Sequence, residues 1–107
     1  MAYDPELDAR VEEIVAAWGA SRKKMFGGTC YLVHGNMMAG VHGDSVILRL
    51  DKQAGTAALA LPGVRPFDLA RNAMAGWVMV EGEGLDAAAL EDWLEQARDF
   101  VVTLPPK

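Results

Sequence analysis

The chain has 107 residues, 51% of them hydrophobic and 23% charged, which fits one globular domain spanning 1–107 and excludes a low-complexity or disordered chain. Its net charge of −5 argues against a dedicated binder of duplex nucleic acid, because phosphate neutralisation supplies most of that affinity. No apolar run reaches the roughly 18 residues of a membrane span, the start "MAYDPELDAR" lacks the basic and apolar regions of a signal peptide, and the single cysteine, Cys30, excludes an internal disulfide, so a cytoplasmic protein is expected.

"YDPELDARVEEIVAAWG" predicts a helix. Asp4 suits the cap, Pro5 the first helical position, and Leu7, Val11, Ile14, Val15 and Trp18 recur with helical spacing, after which Gly19 supplies a stop. The next segment is punctuated every eight residues by Gly27-Gly28, Gly35-Asn36 and Gly43-Asp44, dipeptides that favour two-residue hairpin turns. The runs between them predict a four-stranded antiparallel meander with strands near 21–26, 29–34, 37–42 and 45–50, each spanning about 20 Å.

Two-residue turns fix a register, and directly opposed residues share a face. Met25, Cys30, Leu32, Met37, Ala39, Val41, Val46, Leu48 and Leu50 then form a core face. The opposite face carries Arg22, Lys24, Phe26, Thr29, Tyr31, Val33, Met38, Gly40, His42, Ser45, Ile47 and Arg49. Basic residues are concentrated here: Ser21 to Leu50 holds Arg22, Lys23, Lys24 and Arg49 against the single acid Asp44, a net +3, while the rest of the chain is −8.

"DKQAGTAALALPG" predicts a short helix capped by Asp51 and weakened by Gly55. "VRPFDLARNAMAG" reads as irregular, with a short edge strand at 67–69, and "WVMVE" as a strand at 77–81. Asp86 caps a long terminal helix whose Leu90, Trp93, Leu94, Ala97, Val101 and Leu104 form an apolar stripe that ends before Pro105. The fold class is α+β, an antiparallel sheet with the amphipathic N- and C-terminal helices packed on one face.

Cys30, His34 and His42 are the residues closest to a soft-metal set, but the register separates the histidines by about 15 Å and points Cys30 to the other face, so no metal site is expected. Cys30 has no histidine on its own face to activate it, no serine stands in a nucleophile elbow, and the carboxylates line the polar sides of the helices; no catalytic residue is expected. Gly27-Gly28 is followed by a strand rather than a helix, so it reads as a turn and not a phosphate loop. The remaining candidate is the basic-aromatic face, where Phe26, Tyr31, Val33, Met38 and Ile47 form an apolar middle framed by Arg22, Lys24 and Arg49. That is the anatomy of a protein contact, with a homodimer first in line. Two alternatives remain: nucleic-acid binding by stacking on Tyr31 or Phe26 beside the same cations, and a small-molecule or enzyme site where the loop Val64 to Gly76 meets the sheet.

The run "KKMFGGTCYLVHGNMMAGV", with "LALPGVRPFDL", "GWVMVEGEGL" and "FVVTLPPK", resembles the N-terminal domain of the TfoX (Sxy) family of bacterial competence regulators over almost the whole chain. The resemblance implies an α+β domain related to secretion-chaperone-like folds, a regulatory role by family analogy, and no catalytic residues or cofactor. It marks Lys24, Met25, Phe26, Gly27, Gly28 and Trp77 as structural signature positions. Full-length regulators of this kind carry a second, helical domain, so a single-domain member is expected here, acting through a regulatory protein partner or a second copy of itself.

Overall fold

The structure, a computed structural model, describes residues 4–25, 28–66, 76–82 and 85–106. Helix α1 runs Pro5–Ala16, and the Asp4 carboxylate accepts from the backbone N–H groups of Glu6 (3.0 Å) and Leu7 (3.1 Å), two of the donors a helix start leaves unpaired. Gly19, at φ 73°, follows the helix in the left-handed region that suits a stop. Helix α2 (Lys52–Ala58) begins at Asp51, which accepts from the Ala54 N–H at 2.8 Å, and helix α3 (Ala87–Val101) begins at Asp86, which accepts from Ala89 at 2.7 Å. All three caps stand where the sequence places them.

Six strands form one antiparallel sheet: β1 (Ser21–Met25), β2 (Gly28–Val33), β3 (Asn36–His42), β4 (Ser45–Arg49), β5 (Val64–Pro66) and β6 (Trp77–Glu81), in the order β1-β2-β3-β4-β6-β5. The helices cover one face. There Leu7, Val11 and Val15 of α1 and Leu90, Leu94, Ala97 and Val101 of α3 join Val41, Val46, Leu48, Val78 and Val80 of the sheet in one core. Strand β5 corrects the expectation of an irregular segment at Val64, whereas the edge strand expected at 67–69 lies outside the described residues. Among the described residues no helix is long and apolar enough to cross a membrane.

The hairpin register departs from the expected one at three points. Gly28 belongs to β2 and pairs with Met25, so it is not a turn residue; Phe26 and Gly27 lie outside the described residues. The second turn is His34-Gly35 rather than Gly35-Asn36, with both residues at positive φ (54° and 81°), as a two-residue hairpin turn demands. Asn36 opens β3 opposite Val33, and its side-chain amide donates to the carbonyl of Pro105 at 3.0 Å, tying the C-terminal segment to the sheet. The third turn, Gly43-Asp44, is as expected, with His42 opposite Ser45.

The first two changes shift pairing by two residues and leave faces intact. The third inverts them. Leu32 pairs with Met37 but Tyr31 pairs with Ala39, so Met38 is an extra residue, a β-bulge. Beyond it the pairing places Arg22, Lys24 and the residues of β2 on the face opposite to the expected one. Ala39, Val41, Val46, Leu48 and Leu50 are core as expected, but Cys30, Leu32 and Met37 are on the outer face, away from the described helices; Arg22, Lys24, Thr29, Tyr31, Val33 and Met38 are on the inner one.

Gly55 shows why a poor helix former stands inside α2. A Cβ there would lie 2.6 Å from the Cα of Gly76, the residue that turns into β6 at φ 86°. Gly55→Ala improves intrinsic helix propensity by about 1 kcal/mol but meets backbone, for which overpacking costs about 1–3 kcal/mol. The variant is expected to be less stable than wild type in a urea titration, despite the helix-favouring exchange.

Candidate functional site

Asp8 shares the buried stripe of α1 with Val11 and Val15 and is itself 3% exposed. A carboxylate in such a place needs donors, since an uncompensated buried charge costs several kcal/mol. The sheet supplies them. One oxygen, Oδ1, accepts from the Thr29 hydroxyl at 2.8 Å and from the Tyr31 hydroxyl in a short hydrogen bond; the other, Oδ2, takes the Arg22 Nη2 at 2.7 Å. Arg22 also reaches Glu12 on α1, with Nε 3.2 Å from the carboxylate. Donors on two adjacent strands thus converge on one helix residue. Among the described residues no buried side-chain nitrogen or oxygen lacks a hydrogen-bond partner.

The electrostatics follow from this packing. Burial first, then donation to Asp8, lifts the Tyr31 hydroxyl above the ordinary phenol range, with Arg22 opposing. The guanidinium of Arg22 is held still more firmly protonated, chiefly by its hydrogen bond to Asp8. Burial raises the Cys30 thiol, partly offset by nearby Lys23, so it stays protonated at neutral pH. The cluster is a closed, charge-assisted clamp between α1 and the sheet.

The eight residues expected to form one basic-aromatic face do not share one. Tyr31, Val33 and Met38 are buried in the core beneath the helices, Arg22 is committed to Asp8 and Glu12, and Lys24 is exposed near the β1 edge of the inner face. Ile47 and Arg49 stand on the outer face, and Phe26 lies outside the described residues. Tyr31, at 1% exposed, is thereby withdrawn from stacking on single-stranded nucleic acid, and Phe26, the other stacking residue expected, lies outside the described residues. Most of the loop expected to meet a small molecule, 67–75, lies outside the described residues. Among the described residues no three His, Cys, Asp or Glu side chains converge as metal ligands.

The outer face has its own order. One line of paired residues crosses all six strands, Lys23–Cys30–Gly40–Ile47–Met79–Arg65, with a cation at each edge and small or apolar residues between. Ile47 and Met79 are its buried centre, and Met37 and Trp77 pack on them. Gly40 leaves the room this needs: a Cβ there would lie 3.2 Å from the terminal methyl of Met37. Arg49, opposite Trp77, holds its guanidinium 5.4 Å from that ring's centre and 5.9 Å from that of Phe100. Sequence reading missed the Asp8 clamp, although its signal was present: Asp8 is in phase with Val11 and Val15, and Arg22, Thr29 and Tyr31 are its available donors.

Removing the clamp has graded consequences. Tyr31→Phe, which deletes one donor, should cost about 1–3 kcal/mol, and Asp8→Ala, which takes the carboxylate from both buried hydroxyls and leaves Arg22 only its pair with Glu12, about 3 kcal/mol or more. The folded protein keeps the Tyr31 proton that the unfolded chain releases near pH ~10, so this contribution is intact below about pH 10 and falls as pH rises above it. Urea midpoints are expected to drop more steeply above that pH in wild type than in Tyr31→Phe.

The solved structures include a protein from Pseudomonas syringae, a structural-genomics target, that superposes with a TM-score of 0.65 over 91% of this chain and 97% of that one, at 14% identity. This likeness supports the fold alone. No curated protein matches the chain. The TfoX N-terminal domain family matches residues 13–101, which includes the arginine, threonine and tyrosine of the clamp and every strand of the sheet. The chain belongs to the TfoX N-terminal domain family.

Proposed function

We propose that this domain is a non-enzymatic regulatory module that works through protein contacts and pairs with a second copy of itself through the outer face of the sheet, away from the described helices. The observation that carries the reading is the apolar centre of that face, where Met37 and Trp77 are half-buried against Ile47 and Met79, with Leu32 paired to Met37 and no described helix over them. A sheet face of this kind is matched by another apolar surface more readily than by water.

The edges of the sheet are poorer contacts. Strand β1 is exposed and carries Arg22, Lys23 and Lys24 in succession, while β5 is three residues long and ends in Pro66, which lacks a backbone donor. Both are devices that discourage strand addition. The cations of the outer line, Lys23 and Arg65, are five strand spacings apart, about 24 Å, so a two-fold face-to-face pair keeps both at its wet rim. The regulatory part of the reading rests on family membership, with competence control as its closest analogy.

Sedimentation velocity over a range of concentrations tests the pairing. The wild type should show a dimer, and Leu32→Glu with Met37→Glu should weaken it at least about tenfold, since a charge buried without a partner costs more than 1.4 kcal/mol. A strict monomer at high concentration, or an unchanged dimer in the folded double variant, rejects this interface.

A further inference from the structure

On the far side of the molecule, α1 and α3 diverge to leave a groove of about 490 Å³. Its floor is apolar, with Ile14 from α1, Trp18 from the turn that follows it and Leu90 from α3, and its rim carries Glu13, Glu91 and Glu95. One arginine, Arg10, lines the groove as well, and a second, Arg98, lies beside it. Arg10 donates to the carbonyl of Leu85 at 2.7 Å. Arg98 stacks its guanidinium 4.5 Å from the centre of the Trp18 ring and pairs with Asp99 at 3.1 Å. None of the three rim glutamates makes an ion pair with a described residue.

We infer that this groove docks a basic amphipathic helical segment of a partner protein, its apolar side on Ile14 and Trp18 and its lysines or arginines on Glu13, Glu91 and Glu95. Charge complementarity selects the occupant. Three glutamates against the one lining arginine leave the groove net negative, so it favours a cationic segment and rejects an acidic one. An apolar floor between two helices is also the setting in which an amphipathic helix buries its stripe. The outer sheet face of another copy, apolar with a cation only at each edge, is a poorer fit, because joining groove to sheet is a head-to-tail contact that does not close into a dimer. The inference is independent of the sheet-face pairing, since the two surfaces lie on opposite sides of the sheet.

The probe is a fluorescently labelled 18-residue peptide of leucine and lysine with helical amphipathic spacing, titrated into the full chain and read by anisotropy. It should bind, its leucine–glutamate counterpart should not, and an all-lysine peptide of equal charge should bind at least about tenfold more weakly. Glu13→Gln with Glu91→Gln and Glu95→Gln, all at solvent-reachable positions, should weaken binding at least about tenfold. The control Glu6→Gln with Glu81→Gln and Asp92→Asn changes net charge equally but lies off the groove, and it should stay within about twofold of wild type. Absence of binding at low salt, equal weakening by both triple variants, or equal binding of the all-lysine peptide overturns the inference. So does self-association of the wild type that the groove triple abolishes, which assigns the groove to a second copy.

Discussion

The attachment of α1 to the sheet turns on one carboxylate. Helix α1 brings three fully buried apolar residues to the core, Leu7, Val11 and Val15, each worth about 1.5–3 kcal/mol on burial. Asp8 enters with them, and an unpaired carboxylate in that position would offset much of their contribution. Thr29, Tyr31 and Arg22 remove the penalty by filling both oxygens with donors. The arrangement also makes docking specific. A helix held by apolar side chains alone can slide or rotate by a fraction of a turn, whereas a charge that must meet three donors fixes both position and rotation.

That requirement reaches into the sheet. For Tyr31 to approach Asp8, its side chain must stand on the same face as Val41, Val46 and Leu48. A regular hairpin from the Gly43-Asp44 turn backwards places it on the other one. The extra residue Met38 resolves the conflict, because Met38 and Ala39 together oppose Tyr31 and both join the core. The bulge therefore sets the chemistry of both faces. It delivers Arg22, Thr29 and Tyr31 to the helix side, and it sends Cys30, Leu32 and Met37 outward to complete the apolar patch around Ile47.

What was legible in the sequence depended on whether the signal was local. Asp4, Asp51 and Asp86 each cap a helix because a cap needs only the next few residues, and the alternation of β4 and β6 survives because their pairing has no irregularity. The strands between the turns were also legible as strands. Their faces were not, because a bulge is one residue in the count and has no composition of its own; "MMAG" reads the same with or without it. The candidate interface failed for that reason, since Tyr31, Val33 and Met38 lie on the far side of the bulge from Ile47 and Arg49. Gly55 misled in a milder way, reading as a weakness in α2 when it is the point where α2 meets Gly76.

Charge follows the same division between faces. The basic excess of residues 21 to 50 reads in one dimension as a single positive patch, yet folding separates it: Arg22 is consumed by Asp8 and Glu12, Arg49 lies against Trp77 and Phe100, and Lys23 and Lys24 are left to guard the β1 edge. The acidic excess stays concentrated on α1 and α3, where Glu13, Glu91 and Glu95 make no ion pair with a described residue. Arg22 and Arg49 are thereby withdrawn from recognition, which leaves lysines at the β1 edge and a concentration of negative charge on the helices. A chain of this composition thus presents two chemically distinct surfaces, an apolar sheet face suited to another apolar surface and an acidic helical groove suited to a cationic one.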